Sequence, residues 1–273
     1  MKKKNSYGIA LCSMFKSKLY ILMVQKNLSY NFFNFIMGEY KLNYNFLYNF
    51  FSEMTLVEKK IIYKMDFNFM WNYIVQVTKL RSDDTFKRNK EDIFNNNFLQ
   101  NKELNDLLHR LIRETPCSDL LWEIPSGKRE GNESILDTAI REFNEETMGL
   151  YKNFDILSSY TNTSIIKDGK THYYTYYYIS TPIAPLQSID INLKLNTSDS
   201  FTCMEISNMK WVSFDFLKYL NIPKKQKAPL LSIFNNCIVK YNSSNVKLRC
   251  GWSCNEKKEN KIENIINNKN WRV

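Results

Sequence analysis

Apolar and polar positions change their period several times along the chain. Residues 7–12, Tyr-Gly-Ile-Ala-Leu-Cys, and residues 18–25, Lys-Leu-Tyr-Ile-Leu-Met-Val-Gln, are apolar runs around a short polar turn, and they predict two strands. From residue 44 to 113 the spacing becomes helical. Phe46, Phe50 and Phe51 recur at helical steps, and Thr55 with Glu58 forms a capping-box pattern opening a second helix. Leu104, Leu107, Leu108, Leu111 and Ile112 repeat at three- and four-residue steps and predict a further amphipathic helix. Residues 81–100 are polar and rich in Asn and charge, which predicts a loop or a poorly ordered connection.

A second change comes at Leu120. Residues 120–125 read as a strand ended by Pro125, and residues 134–148 as a helix. Residues 173–179 hold five tyrosines and are strongly strand-like. Residues 209–214 predict a short strand, and 229–238 a helix laid against the sheet. The simplest architecture is an α/β domain interrupted early. Its first strands occupy residues 1–40, a helical insertion 41–116, the resumed domain 117–239, and a basic polar tail 240–273. That tail carries eight Lys or Arg against three Glu.

Composition narrows the partners. At 273 residues the chain can bury a sizeable core. No apolar run approaches the about 18 residues of a membrane-spanning helix, so no membrane insertion is expected. Met1-Lys2-Lys3-Lys4 imitates the start of a secretion signal, but the apolar stretch after it is short and broken by Lys16 and Lys18, and the segment reads as a first strand. The net charge of +10 favours polyanions such as RNA, nucleotides or inositol phosphates. The same excess is also expected from a Lys- and Asn-rich composition of the kind an AT-rich genome produces. Six cysteines, at 12, 117, 203, 237, 250 and 254, form no disulfide framework and are expected as free thiols. Cys250 and Cys254 read as ordinary thiols or as half of a zinc site.

The chemistry is concentrated between Gly127 and Leu150. Gly127 is followed by Glu133, then after seven residues by Arg141-Glu142-Phe143-Asn144-Glu145-Glu146. On a helix, Glu142, Glu145 and Glu146 share one face. Carboxylates so close repel one another, a cost that hard cations remove; Mg²⁺ or Mn²⁺ takes such oxygen ligands while also holding phosphates. Leu136, Ala139, Ile140 and Phe143 form the opposite, sheet-facing side, with Ser134 and Asp137 as the helix cap.

This pattern resembles the Nudix box: Gly, five residues, Glu, seven residues, Arg-Glu-apolar-any-Glu-Glu. The resemblance implies an α/β/α sandwich with a mixed sheet, here with a helical insertion after the first strands, and a pyrophosphohydrolase activity. It implies Glu142, Glu145 and Glu146 as metal ligands, and Glu145 or an outside carboxylate as the group that activates water. Gly127, Glu133 and Arg141 would brace loop and helix, with Glu133 also reaching the metal through water. Glu205 is the first outside candidate and Asp168, in an Asp-Gly turn, the second. On this reading Glu145→Gln and Glu146→Gln remove turnover without unfolding the chain. The box departs from its usual form at the end. One extra residue precedes Gly149, which predicts a helix one residue longer or a wider final turn.

Further segments resemble the decapping Nudix enzymes of large DNA viruses, that of African swine fever virus in particular. They are Leu121-Trp122-Glu123-Ile124-Pro125-Ser126-Gly127-Lys128, residues 21–26, residues 65–71 and Asp168-Gly169-Lys170-Thr171. The likeness runs over roughly residues 7–235. It implies removal of the 5′ cap from mRNA, with release of 7-methyl-GDP and a 5′-monophosphate RNA, in the cytoplasm (the host's, for a viral protein), with packaging in a virion as the alternative location. Diphosphoinositol polyphosphates, or small molecules linked through a nucleoside diphosphate, are the alternative substrates. A non-catalytic RNA-binding module is a third reading, against which the intact glutamates stand. Lys59, Lys60, Lys64, Lys79 and Arg81 in the insertion, and Lys224, Lys225 and Lys227, are candidates for the RNA body.

Overall fold

The computed structural model describes residues 2–78, 80, 82–167, 171–191, 205–222 and 230–236. Strand β1 (Lys2–Phe15) and strand β2 (Lys18–Lys26) form an antiparallel hairpin longer than the apolar runs suggested. Its turn residues Lys16 and Ser17 both take positive φ, 46° and 64°, which matches the twist of the two strands. Strands β3 (Trp122–Glu123) and β4 (Ser126–Gly127) come next, then β5 (Phe154–Lys167), β6 (Thr171–Pro182) and β7 (Ile206–Ser213). They build one seven-stranded mixed sheet in the order β3-β2-β1-β6-β5, with β4 on β1 and β7 on β2. The β1–β6 pair is parallel, with Tyr7 opposite Tyr176, and the remaining pairs are antiparallel.

Side-chain alternation on β1 and β2 makes the layers. Ile9, Leu11, Leu22 and Val24 point to one face, against Ala139 and Phe143 of the helix over Ile135–Glu146. Ala10, Cys12, Ile21 and Met23 point to the other, against Leu217, Ile233 and Phe234. These last residues belong to a 3₁₀ helix (Phe214–Tyr219) and a helical segment at 230–236, where the sequence placed a helix on the sheet. Two apolar faces with a helical layer on each is the α/β/α sandwich.

The insertion is helical throughout most of its length and starts earlier than residue 41. Helix α1 spans Tyr30–Ile36, α2 Tyr44–Ser52, α3 Leu56–Tyr63, α4 Phe67–Thr78, α5 Asp84–Phe94 and α6 Lys102–Glu114. Ser29, Asn43, Asp83 and Asn101 cap four of them, and Thr55 with Glu58 closes a capping box on α3. The insertion owns a separate, aromatic core that includes Phe32, Phe35, Phe51, Trp71, Phe94 and Phe98. Residues 81–100, expected as a loop, instead carry α5 and a π-helical turn at Asn95–Leu99. Buried Phe94 and Phe98 anchor this stretch, and its remaining positions are mostly polar and solvated. That leaves too thin an apolar stripe for periodicity to reveal.

Lys59 corrects the expected RNA surface. Its side chain is buried and its ammonium donates to Thr115 O at 2.9 Å, Thr115 Oγ1 at 2.6 Å and Pro116 O at 2.8 Å. Burial pushes its pKa down, and the neighbouring Cys117 partly opposes this. Lys59 therefore ties α3 to the end of α6, while Lys60 and Lys64 remain exposed. Lys59→Ala is expected to cost about 2 kcal/mol in denaturant melts, because buried acceptors lose their donor. RNA affinity of the folded variant should be unchanged in a filter-binding titration.

Lys79, Arg81, Asp168, Lys224, Lys225, Lys227, the tail after 240 and the Cys250–Cys254 pair lie outside the described residues. Among the described residues no helix is long and apolar enough to cross a membrane.

Candidate active site

The acidic helix, α7 (Ile135–Glu146), begins at Ser134. The Ser134 hydroxyl accepts the Asp137 N–H at 3.0 Å and donates to the Asp137 carboxylate at 2.6 Å. Ala139 and Phe143 are buried on the sheet, which leaves Glu142 against the loop that enters the helix and Glu145 exposed. The helix ends at Glu146, so the extra residue does not lengthen it. Gly149 N–H reaches Asn144 O at 2.8 Å and Met148 N–H reaches Glu145 O at 3.3 Å, the paired bonds of a Schellman turn. Met148 takes the left-handed position, φ 55°, that glycine usually fills, and Gly149 comes after it at φ 63°. The inserted residue is thus absorbed in a wider final turn, after the last glutamate.

Three of the four box glutamates have distinct surroundings. Glu133 accepts from Arg141 Nε at 2.7 Å, Arg141 Nη2 at 3.2 Å, Thr138 Oγ1 at 3.1 Å and Glu130 N at 3.2 Å. Those bonds, Arg141 foremost, push its pKa down to about 2. Arg141 also donates to Lys128 O at 2.9 Å and sits 3.0 Å from Glu142 and 3.5 Å from Glu145. It thereby clamps loop, helix and three carboxylates together. The Glu142 pKa is raised, by burial first and also by Glu145 and Glu205, against the pull of Arg141. Glu146 is buried. One oxygen accepts the Ser126 N–H at 3.0 Å and the other is bonded by Lys26 Nζ. Burial drives its pKa up to about 7 despite the ammonium.

Gly127 has a specific reason to be glycine. A Cβ built there would overlap the Glu142 carboxylate, so loop backbone and carboxylate are in direct contact. Gly8 is similarly tight, since its Cβ would meet the Pro125 carbonyl where β1 passes the segment entering the box. Glu205 stands just before β7, its carbonyl accepting Asn27 N–H at 2.8 Å, and its charge acts on both Glu142 and Lys26. The structure therefore brings Glu205 to the box glutamates.

Sequence reasoning missed Lys26, Glu123 and Tyr30. Glu123 is buried on β3 and accepts from the Tyr30 hydroxyl at 2.8 Å. Burial alone would lower the Lys26 pKa, but Glu146, Glu123 and Glu205 together raise it. The available signal was a carboxylate between Trp122 and Ile124 in an otherwise apolar strand. Beside the box, an open cleft of about 390 Å³ is lined by Lys4, Asn5, Tyr7, Lys128 and Arg129. Tyr7 stacks on Tyr176, centroids 5.4 Å apart.

Among the described residues no three carboxylates are gathered into a ready-made metal cage. Glu142 and Glu145 lean on Arg141, and Glu146 on Lys26. The donor set nevertheless suits a hard divalent ion. Glu142, Glu145, Glu146, Glu205 and Glu123 outnumber the two cations, and all offer oxygen.

Sandwich, loop, clamped arginine and glutamate helix together define a Nudix protein, and the chain belongs to that family: the NUDIX domain matches residues 98–231. It is similar in particular to mRNA-decapping protein g5R of African swine fever virus. With the Warthog/Namibia isolate it shares 30% identity over 234 residues, 84% of this chain and 92% of the relative. With the Pig/Kenya isolate it shares 30% over 225 residues, 81% and 89%. Similar solved structures include the NUDIX domain of Shewanella oneidensis NrtR complexed with ADP ribose, with TM-score 0.38, 11% identity and coverage of 87% and 90%. A C. elegans Ap4A hydrolase binary complex is another, with TM-score 0.40, 11% identity and coverage of 86% and 98%.

Proposed function

We propose that this protein is a metal-dependent Nudix hydrolase that removes the 5′ cap from mRNA, releasing 7-methyl-GDP and 5′-monophosphate RNA. The carrying observation is the acidic face of α7, joined by Glu205 and set beside a cleft with three cationic side chains. The similarity to mRNA-decapping protein g5R over most of both chains points to the capped RNA. Such a substrate supports work in the host cytoplasm, with packaging in a virion as the alternative.

Glu142, Glu145 and Glu146 would hold Mg²⁺ or Mn²⁺, with Glu133 bracing Arg141 and reaching the ion only through water. When bound, the ion neutralises charge developing on the phosphate oxygens and acidifies the attacking water. Glu145, half-exposed, or Glu205, beside Glu142, takes the proton of that water. Lys4, Lys128 and Arg129 orient the phosphate chain, and half-buried Tyr176, backed by buried Tyr7, offers an aromatic edge for a base. The same dense cationic cleft favours diphosphoinositol polyphosphates as the second reading.

The deciding assay uses purified protein, Mn²⁺ and RNA labelled within the cap phosphates. Release of 7-methyl-GDP that is lost in Glu145→Gln establishes decapping. Cleavage of diphosphoinositol polyphosphates alone moves the activity to the second reading. The insertion carries a separate expectation. Lys60 and Lys64 are exposed on α3 and its end, with Lys64 5.4 Å over the Phe69 ring, an arrangement suited to an RNA backbone. The double reversal Lys60→Glu, Lys64→Glu should weaken binding of a long RNA by roughly tenfold at low salt. Hydrolysis of a small cap analogue should not change. An equal loss on both substrates would remove the RNA surface.

A further inference from the structure

Lys26 closes β2 with its ammonium on Glu146, a contact that the hydrolytic chemistry does not use. The contact is not a surface ion pair. Glu146 is 4% exposed and Lys26 19%, so each is the other's main compensation for leaving water. Two further carboxylates act on the same ammonium, Glu123 and Glu205. Glu123 is also buried, and the Tyr30 hydroxyl fixes its carboxylate at 2.8 Å. Tyr30 is the first residue of α1, so the insertion itself holds this second carboxylate in place.

A divalent ion and an ammonium cannot both sit on one Glu146 oxygen, because their charges repel strongly in a site with little water. The other Glu146 oxygen accepts the Ser126 N–H, and an ion on its remaining lone pair would still face the ammonium across one carboxylate. We infer that Lys26 is a positioning residue of the metal site. It holds Glu146 in the metal-free protein, and a divalent ion reaches Glu146 only by displacing the ammonium onto Glu123. The inference rests on the reading of Glu146 as a metal ligand. It makes the metal affinity of the site a competition with a built-in cation, and it gives Tyr30 the task of keeping the alternative carboxylate in place.

The test is Mn²⁺ binding to the full chain without substrate, monitored by the EPR signal of the free ion. Lys26→Met should bind Mn²⁺ roughly tenfold more tightly, since the ion then meets an uncompensated buried carboxylate. Lys26→Arg, which keeps the charge, should stay near wild type. A Lys26→Met protein that melts lower in chelator and recovers with Mn²⁺ reports the same replacement of ammonium by ion. Unchanged or weaker Mn²⁺ binding by folded Lys26→Met overturns the inference. Should that variant not fold, wild-type protein labelled with ¹³C at lysine Cε decides. The Lys26 signal, identified by its loss in Lys26→Arg, should move in step with Mg²⁺ occupancy, and a stationary signal during Mg²⁺ binding overturns the displacement. Glu146→Gln separates the two ideas. Full Mn²⁺ affinity in Glu146→Gln defeats the ligand reading itself, whereas loss there with no tightening in Lys26→Met defeats only the role of Lys26.

Discussion

Glu145→Gln is expected to lower kcat on capped RNA by about a hundredfold to a thousandfold with no change in melting temperature. Glu146→Gln should lose as much activity and also roughly 3 kcal/mol of stability in the metal-free protein. The sequence alone predicts the same outcome for both, since each removes one charge from a repulsive cluster. The structure separates them. Glu145 is 44% exposed and its pairing with Arg141, at 3.5 Å, is loose and screened by water, so its removal is cheap to the fold. Glu146 is buried, accepts the Ser126 N–H and compensates Lys26. An amide there still satisfies one hydrogen bond but removes the nearest charge partner of a largely buried ammonium, leaving only Glu123 and Glu205 to compensate it. Chelator-treated thermal melts beside turnover assays read both effects. Equal melting of the two variants would mean that the Lys26 contact contributes nothing to folding, and retained turnover in both would remove these glutamates from the chemistry.

The features legible in the sequence are local ones. Helix α7 is legible because its determinants lie within one short stretch: the Ser134 cap, apolar Ala139 and Phe143, and the glutamates at helical spacing. The hairpin of β1 and β2 is legible for the same reason, through two apolar runs and a two-residue turn. The partner of Glu146 is not, because Lys26 lies 120 residues away and looks like any lysine ending a strand. Only the antiparallel pairing of β2 with β3 brings it beside Glu123, with Gln25 opposite Trp122.

The departures from expectation also have physical causes. Lys59 and Lys60 are adjacent in sequence, yet a helix turns them to different sides. Lys59 falls on the side of Ile62 and goes inward to the Thr115 carbonyl, while Lys60 faces water. The start of the insertion escapes pattern reading because residues 30–36 are mostly aromatic, with Asn31 and Asn34 as a narrow polar stripe in a segment of only seven residues. The Ser29 cap and the burial of Phe32, Phe35 and Ile36 decide for helix there. In α5 the opposite holds: Asp83 caps a helix that is almost wholly polar, held at its end by Phe94. Periodicity is informative where one face is buried and the other is not, and both of these segments depart from that condition.

Gly127→Ala and Gly131→Ala should diverge sharply although both alter the same loop. At Gly127 a single methyl group would overlap the Glu142 carboxylate, so either the loop lifts off α7 or Glu142 leaves its place. Glu142 is held on its other side by Arg141 at 3.0 Å, and Arg141 is in turn bound to Glu133 and to Lys128 O. A shift of Glu142 therefore disturbs the clamp that orders the whole loop. A misplacement of about 1 Å in such a site costs on the order of a hundredfold in rate. We expect at least that loss in kcat for Gly127→Ala, with weaker Mn²⁺ binding. At Gly131 a Cβ meets nothing within 4 Å, but the backbone sits at φ 52°. Alanine there incurs only the left-handed conformation, about 1 kcal/mol, and its turnover should stay within a few-fold of wild type. Equal activity in the two variants would show that the contact between loop and Glu142 has no part in catalysis, and that the glycine at 127 serves only the chain's path into the helix.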